Sequence, residues 1–127
     1  MHVRALWTYL PRRLRARVLD AEEMRMGSTL YGRLTLEGDV IAGSYQAGSL
    51  LWSAERRCLA AQELVSWIDG PTTRVVVFDT ERRALVGASP ARRGLARPLR
   101  FEPGVLVYRR WNENVGDQEL RLSLDGD

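Results

Sequence analysis

The sequence contains no lysine, so all nineteen of its basic residues are arginine. Isoleucine and asparagine are also scarce. We interpret this bias as the codon usage of a GC-rich bacterial genome. Many of the arginines therefore stand where another protein would carry lysine, and their number alone does not indicate a recognition surface. The net charge of +3 is mild and bears on solubility and partners rather than on the fold.

Cysteine and histidine occur once each, as Cys58 and His2. One cysteine cannot form an intramolecular disulfide, so the fold must depend on packing, and a reducing, cytoplasmic compartment fits best. The two residues cannot supply the ligand spacing of a zinc site. Because chain termini are usually mobile, His2 is also poorly placed to act as a general base. We expect no metal site, no cofactor and no catalytic residue.

Long apolar runs are missing as well. The longest, at residues 75–78 and 105–108, are only four residues long, whereas a helix needs roughly 20 apolar residues to span a bilayer. The first ten residues lack the uninterrupted apolar stretch and cleavage site of a signal peptide. The sequence therefore predicts no contact with a membrane.

What is present is an ordinary globular composition. The 127 residues are 45% hydrophobic and 28% charged, which suits one folded domain with one core. No internal repeat and no linker rich in proline, glycine or serine divides the chain. We predict a single domain over residues 1–127.

Most of the chain has the pattern of antiparallel strands. Alternating apolar residues bounded by turn residues predict hairpins over 29–46, 74–88 and 99–111, and a final edge strand over 119–124. Gly32 and Gly43 indicate a bulge or bend within the first hairpin. Residues 13–19 alternate as a half-buried strand would, but a short helix beginning at Pro11 is also possible.

The pattern changes after residue 53. Apolar residues recur at spacings of three and four, while Ser53 suits an N-cap and Gly70-Pro71 a stop, which predicts an amphipathic helix over about 54–68. The apolar stripe consists of Cys58, Ala61, Leu64, Val65 and Ile68. Cys58 is expected in the core and Trp67 at its edge. The resulting fold class is α+β, a mostly antiparallel curved sheet or partly open barrel with one central amphipathic helix.

Four carboxylates could converge near one end of this helix and the following strand: Glu55, Glu63, Asp69 and Asp79. No second motif supports hydrolytic chemistry by such a group. The phosphate-binding loop and the dinucleotide fingerprint are both missing. We expect that the protein is not an enzyme.

Charge segregation is the most informative feature. Segment 92–110 carries six arginines and one acid, segment 4–17 carries five arginines and no acid, and segment 112–127 carries five acids against one arginine. The basic segments could form a positive patch. Alternatively, the acidic segment could fold across them and neutralise them. The candidate partner-binding residues are Arg92, Arg93, Arg97, Arg100, Arg109, Arg110 and Trp111.

These features favour a non-enzymatic bacterial protein-binding module, an immunity or inhibitor protein that neutralises a toxin or effector by surface binding. Its partner would present an acidic surface or cleft, which the planar fork of arginine suits. The alternative is a nucleic-acid-binding domain, with Arg13, Arg15 and Arg17 on phosphates and Tyr31 or Trp111 stacking on bases. The oligomeric state is left open.

Overall fold

The computed structural model describes residues 16–23 and 29–124, and within these ranges every regular element is a strand. The strands are β1 (Ala16–Glu23), β2 (Leu30–Leu36), β3 (Asp39–Gln46), β4 (Leu51–Trp52), β5 (Cys58–Trp67), β6 (Pro71–Asp79), β7 (Ala84–Ala88), β8 (Arg92–Arg93), β9 (Leu95–Glu102), β10 (Val105–Asn112) and β11 (Gly116–Ser123). No helix in this part of the chain is long and apolar enough to cross a membrane.

The strands form two antiparallel sheets. The first sheet has the order β1-β2-β3-β5-β6-β7, with β4 paired to β5 and β8 paired to β6, and the second has the order β11-β10-β9. The predicted α+β class with a central helix is therefore wrong. The chain is all-β in its described part, and the second sheet, rather than a helix, packs over β6.

The predicted helix over 54–68 is replaced by a turn and by β5. Leu59 and Ala61 lie on one face of β5 and pack in one core, whereas Ala60 lies on the other face and packs in a second core. A strand that is buried on both faces loses the alternation of apolar and polar residues. In β5 the apolar residues happen to recur at spacings of three and four, which is why the sequence predicted a helix here.

Ser53 caps a turn rather than a helix. Its hydroxyl accepts a hydrogen bond from the backbone N–H of Cys58 at 3.0 Å, and its carbonyl accepts one from the N–H of Arg56 at 2.9 Å. Arg56 has a positive φ of 60°, which is the left-handed conformation of a tight turn. The chain thus reverses between residues 53 and 58 and enters β5.

Two hydrophobic cores hold the sheets. The first lies on one face of the first sheet, among residues of β1, β2, β3, β5 and β6 such as Leu34, Leu59 and Phe78. The second lies between the sheets, where Val77 of the first faces Leu106 of the second. Since β5 and β6 contribute to both cores, they form the centre of the molecule.

The predicted hairpins are confirmed. Strands β2 and β3, β6 and β7, and β9 and β10 pair antiparallel, and β11 follows as an edge strand. The β2–β3 register shifts next to Gly32, where a Cβ would lie 2.4 Å from the carbonyl oxygen of Leu19. Residues 16–19 of the predicted first strand lie in β1, and residues 13–15 lie outside the described ranges.

A buried polar network joins the two sheets at Gln62. Its side-chain amide accepts a hydrogen bond from the hydroxyl of Tyr31 at 2.5 Å and donates one to the carbonyl of Ala96 in β9 at 2.7 Å. Burial raises the pKa of Tyr31. Tyr31 is only 3% exposed, so it offers no surface on which a nucleic-acid base could stack.

Candidate functional site

The candidate partner-binding residues lie near one another but not on one face. Their positions are Arg92 and Arg93 in β8, Arg97 and Arg100 in β9, and Arg109, Arg110 and Trp111 in β10. Side chains alternate between the faces of a sheet along a strand. Arg109 and Trp111 are accordingly exposed on the outer face of the second sheet, whereas Arg110 is buried between the sheets.

Arg100 is neutralised within the molecule. Its guanidinium contacts Glu102 at 3.1 Å and Glu119 at 3.2 Å, and Arg121 also contacts Glu102, at 2.8 Å. Hydrogen bonds from Arg121 and Arg100 hold the pKa of Glu102 below its ordinary value. The alternative expectation, that acidic residues fold across the basic segment and neutralise it, therefore holds for Arg100.

Arg97 and Arg109 lie side by side on the second sheet. They are cross-strand neighbours in β9 and β10, and both are exposed. Among the described residues, neither forms an ion pair. Trp111 follows on the same face of β10, with 46% of its surface exposed. These three residues are the part of the predicted surface that faces solvent together.

Arg110 is a buried cation with incomplete hydrogen bonding. It is only 5% exposed. One guanidinium nitrogen, Nη2, donates to the carbonyl of Arg93 at 3.3 Å, while Nη1 has no hydrogen-bond partner among the described residues. Burial lowers the pKa of Arg110, Tyr108 opposes this change, and the nearby charge of Arg92 adds to it. Arg110 is therefore a poorly compensated cation between the sheets.

A groove of about 500 Å³ opens beside the same end of β10. We call it the tryptophan groove. Its walls come from the β5–β6 turn, from the β8–β9 junction and from the β10–β11 loop, and they include Trp67, Pro71, Arg93, Trp111 and Asn114. The groove thus lies where three connections between strands meet.

The β5–β6 turn forms one wall and is fixed by Arg93. The turn residues Asp69 and Gly70 both have positive φ, at 54° and 120°, and because Trp67 pairs with Pro71, residues 68–70 form a three-residue hairpin loop. Arg93 donates hydrogen bonds to the carbonyl of Ile68 at 2.8 Å and to that of Asp69. Arg93 therefore holds the wall in place rather than offering its charge freely.

The opposite wall is fixed by Asn112. Its side-chain oxygen accepts hydrogen bonds from the backbone N–H groups of Asn114 at 2.8 Å and Val115 at 2.9 Å. This local closure by an asparagine side chain is typical of tight turns. The β10–β11 loop is consequently ordered without help from the opposite wall.

Gly94 allows the chain to pass from β8 to β9 at the base of the groove. Its φ is +103°, and a Cβ at this position would lie 2.1 Å from the carbonyl oxygen of Trp111. Only glycine tolerates both this conformation and this approach. The backbone of β10 and the start of β9 are thereby held against each other next to the Trp111 side chain.

Three exposed apolar residues adjoin lining residues of the groove in the chain. Ile68 is 73% exposed and Val115 59%, compared with 42% for Leu30. Each stands directly next to a lining residue, namely Asp69, Asn114 or Thr29, and we call the three, with Trp111, the apolar rim. Exposed apolar side chains mark an interaction site where they form a contiguous patch.

Sequence reasoning missed this apolar rim. Trp67 and Ile68 were assigned to the helix that the structure replaces with β5 and its turn. The Asp69-Gly70 dipeptide was the available signal, because it is a common hairpin turn between two strands. Gly70-Pro71 instead suggested the end of a helix, so the hairpin that brings Trp67 and Trp111 to one groove was not predicted.

A second cleft, of about 690 Å³, lies at the other end of β6 and includes Asp79. We call it the Asp79 cleft. The buried carboxylate of Asp79 accepts hydrogen bonds from Arg57 at 3.1 Å and from the backbone N–H groups of Glu81 and Arg82. Burial raises the pKa of Asp79, but these hydrogen bonds outweigh it, so that the pKa lies below its ordinary value.

The four candidate carboxylates do not all converge. Glu55 and Asp79 both line the Asp79 cleft, whereas Asp69 lies at the opposite end of β6 and Glu63 contacts Arg74 at 2.6 Å. No group of three or more metal-binding side chains occurs in residues 16–23 and 29–124. Cys58 is half-buried at the Asp79 cleft, and burial raises the pKa of its thiol, which disfavours the reactive thiolate.

Comparison with protein-family models, with curated proteins and with solved structures found no match to this chain. The function is therefore argued from the site alone.

Proposed function

We propose that this chain is a protein-binding module that contacts its partner through the tryptophan groove. The observation that carries the proposal is the groove lined by Trp67 and by the 46% exposed Trp111, with the exposed Ile68 and Val115 next to lining residues in the chain. Aromatic residues at the centre of a contact, surrounded by polar residues, are typical of protein interfaces. An apolar side chain of the partner would enter the groove between Trp67 and Trp111.

The electrostatics favour an acidic partner. Arg97 and Arg109 are exposed beside Trp111 and form no ion pair with the described residues. A guanidinium group can bind a carboxylate through two parallel hydrogen bonds. We therefore expect the partner segment to combine an aromatic or aliphatic side chain with at least one nearby aspartate or glutamate.

The narrower role, an immunity or inhibitor protein that neutralises a bacterial toxin, belongs to the same proposal. An inhibitor acts by occupying a surface and needs no reactive group of its own. A toxin with an acidic cleft would offer the carboxylates that Arg97 and Arg109 could bind. The partner's activity in the presence of increasing amounts of this chain measures that role.

The experiment is co-purification of partners with the tagged full chain from its native host. The groove variants are Ile68→Ser and Trp111→Ala, and the matched control is Val40→Ser. Val40 is 60% exposed but follows Asp39, which contacts Arg83 at the other end of the molecule. The proposal predicts a protein that is retained by the wild type and by the control but is lost from both groove variants.

Two results would contradict the proposal. One is a partner protein retained equally by all four chains. The other is nucleic acid as the retained material, with binding that weakens steeply as salt rises because counterions are released. The second result would favour nucleic-acid binding, and the Arg97→Glu/Arg109→Glu double variant should then abolish retention of the nucleic acid.

A further inference from the structure

Strand β11 presents a long, regular edge. It spans eight residues, contains no proline and pairs with β10 without any register shift. In the described part of the chain, no other strand pairs with the edge of β11 that faces away from β10. An edge of this kind is a template for pairing with another strand.

The other sheet edges carry the features that usually prevent such pairing. Strand β9 contains Pro98 and a register shift relative to β10. Strand β7 has only five residues and a register shift relative to β6. Strand β1 has a register shift relative to β2 between Leu19 and Glu22. Only β11 among these strands lacks both a bulge and a proline.

The backbone groups that β11 offers can be identified. The N–H of Leu124 donates to the carbonyl of Gly104, on the side of β10, at 3.0 Å. Hydrogen-bonded and non-hydrogen-bonded pairs alternate along an antiparallel pair of strands. The even-numbered residues of β11 therefore bond to β10, whereas the N–H and C=O groups of the odd-numbered residues point to the open side. These residues are Asp117, Glu119, Arg121 and Ser123, and all are exposed.

We propose that β11 pairs antiparallel with β11 of a second copy of this chain, about a two-fold axis at Leu120. In this register Glu119 lies opposite Arg121 of the second copy, and the symmetry produces the same pair again. These contacts would add to those that Glu119 forms with Arg100, and Arg121 with Glu102, within each chain. Asp117 lies opposite Ser123. Every outward backbone group of these residues then finds a partner, and opposite charges face each other across the strands, which stabilises the pairing.

The charges select this register over its neighbours. A shift by two residues places either Glu119 opposite Glu119 or Arg121 opposite Arg121, and like charges directly opposite are destabilising. A shift by one residue places outward backbone groups opposite groups that are already bonded to β10. The arrangement centred on Leu120 is the one that avoids both penalties.

The inner face of β11 also fits this arrangement. Leu120 is half-buried and packs against the second core. At the two-fold axis it would meet Leu120 of the second copy, in a non-hydrogen-bonded pair where side chains approach closely. The remaining exposed surface of both leucines would be buried, and the two inter-sheet cores would become continuous.

Sedimentation velocity of the full chain tests the proposal. We expect a reversible dimer at concentrations up to about 300 μM. Glu119→Arg should raise the dimer Kd by about tenfold or more, because two attractive pairs become repulsive. The charge-swap variant Glu119→Arg/Arg121→Glu restores opposite charges across the axis, so it should recover most of the wild-type affinity.

The control is Arg33→Glu, a charge reversal at an exposed position of β2 in the other sheet, which should leave the dimer Kd unchanged. Thermal unfolding of each variant establishes that it is folded. A wild type that stays monomeric over this range would overturn the proposal. So would a dimer that tolerates Glu119→Arg, or one that the charge-swap variant fails to restore.

Discussion

The two ends of β6 differ in how completely their buried polar groups are hydrogen-bonded. At the Asp79 cleft, the buried carboxylate is fully bonded by Arg57 and by two backbone N–H groups. At the end with the tryptophan groove, one nitrogen of the buried Arg110 has no partner within the described ranges, and Ile68, Trp111 and Val115 are exposed. Polar groups at the first end therefore stabilise the fold, whereas the second end leaves a buried polar atom and apolar side chains without such compensation.

The largest expected effect is at the Asp79 cleft. Asp79→Ala should lower the free energy of unfolding by about 2–3 kcal/mol at pH 7, because it removes the acceptor of several hydrogen bonds. The loss should stay below that of a fully buried ion pair, since the Arg57 side chain is partly exposed and can be solvated. Urea denaturation at equilibrium measures the difference in unfolding free energy between the wild type and Asp79→Ala.

The matched control is Glu81→Ala. Glu81 also contacts Arg57, at 3.6 Å, but its side chain is exposed, and exposed ion pairs contribute little. We expect a change within about 0.5 kcal/mol. Equal effects of the two substitutions would show that Asp79 has no special role in stability.

The Asp79 cleft should also determine how the free energy of unfolding changes at acidic pH. Because the pKa of Asp79 is lower in the folded protein than in the unfolded chain, its contribution is fully present above the unfolded pKa of about 3.9 and is lost as the pH falls through the folded value. The difference in unfolding free energy between wild type and Asp79→Ala should therefore shrink below about pH 4. A difference that stays constant from pH 7 to pH 3 would contradict this assignment.

A smaller effect of opposite sign is expected at Arg110. Arg110→Met replaces a buried, incompletely bonded cation with an apolar side chain of similar length, and should raise the free energy of unfolding by about 1 kcal/mol. Thermal and urea unfolding both measure this. A loss of more than about 1 kcal/mol would mean that the guanidinium stabilises the fold, and the contrast between the two ends would disappear.

The smallest stability effect is expected at the rim of the tryptophan groove. Ile68→Ser should change the free energy of unfolding by no more than about 0.5 kcal/mol, because the side chain is largely exposed. Thermal unfolding alongside Val40→Ser gives the comparison. Strong destabilisation by Ile68→Ser alone would identify the rim as part of the core rather than as a binding surface.

Much of the strand arrangement could be predicted from the sequence. In the 29–46 hairpin, apolar residues alternate in the first strand and a short turn follows, and the structure contains the hairpin as β2 and β3. Strand β11 likewise alternates, with Leu120 and Leu122 facing the core. Alternation is reliable where one face of a strand is buried and the other meets solvent.

The prediction failed where both faces of a strand are buried. Alternation disappears in β5, because Leu59 and Ala60 pack in different cores. Whether a run of apolar residues forms a helix or a doubly covered strand depends on what packs over it, and that is decided by distant segments. The separation of Arg109 from Arg110 follows from strand geometry, but the pairing of Arg100 with Glu119 depends on the register of β9, β10 and β11.

The most direct test of the tryptophan groove is the affinity of the co-purified protein for two variants measured side by side by titration calorimetry. Ile68→Ser should weaken binding by about tenfold or more, as the loss of a central apolar contact does, while Val40→Ser binds as tightly as the wild type. Equal affinity of the two variants would show that the partner binds elsewhere, and the groove would have no part in recognition.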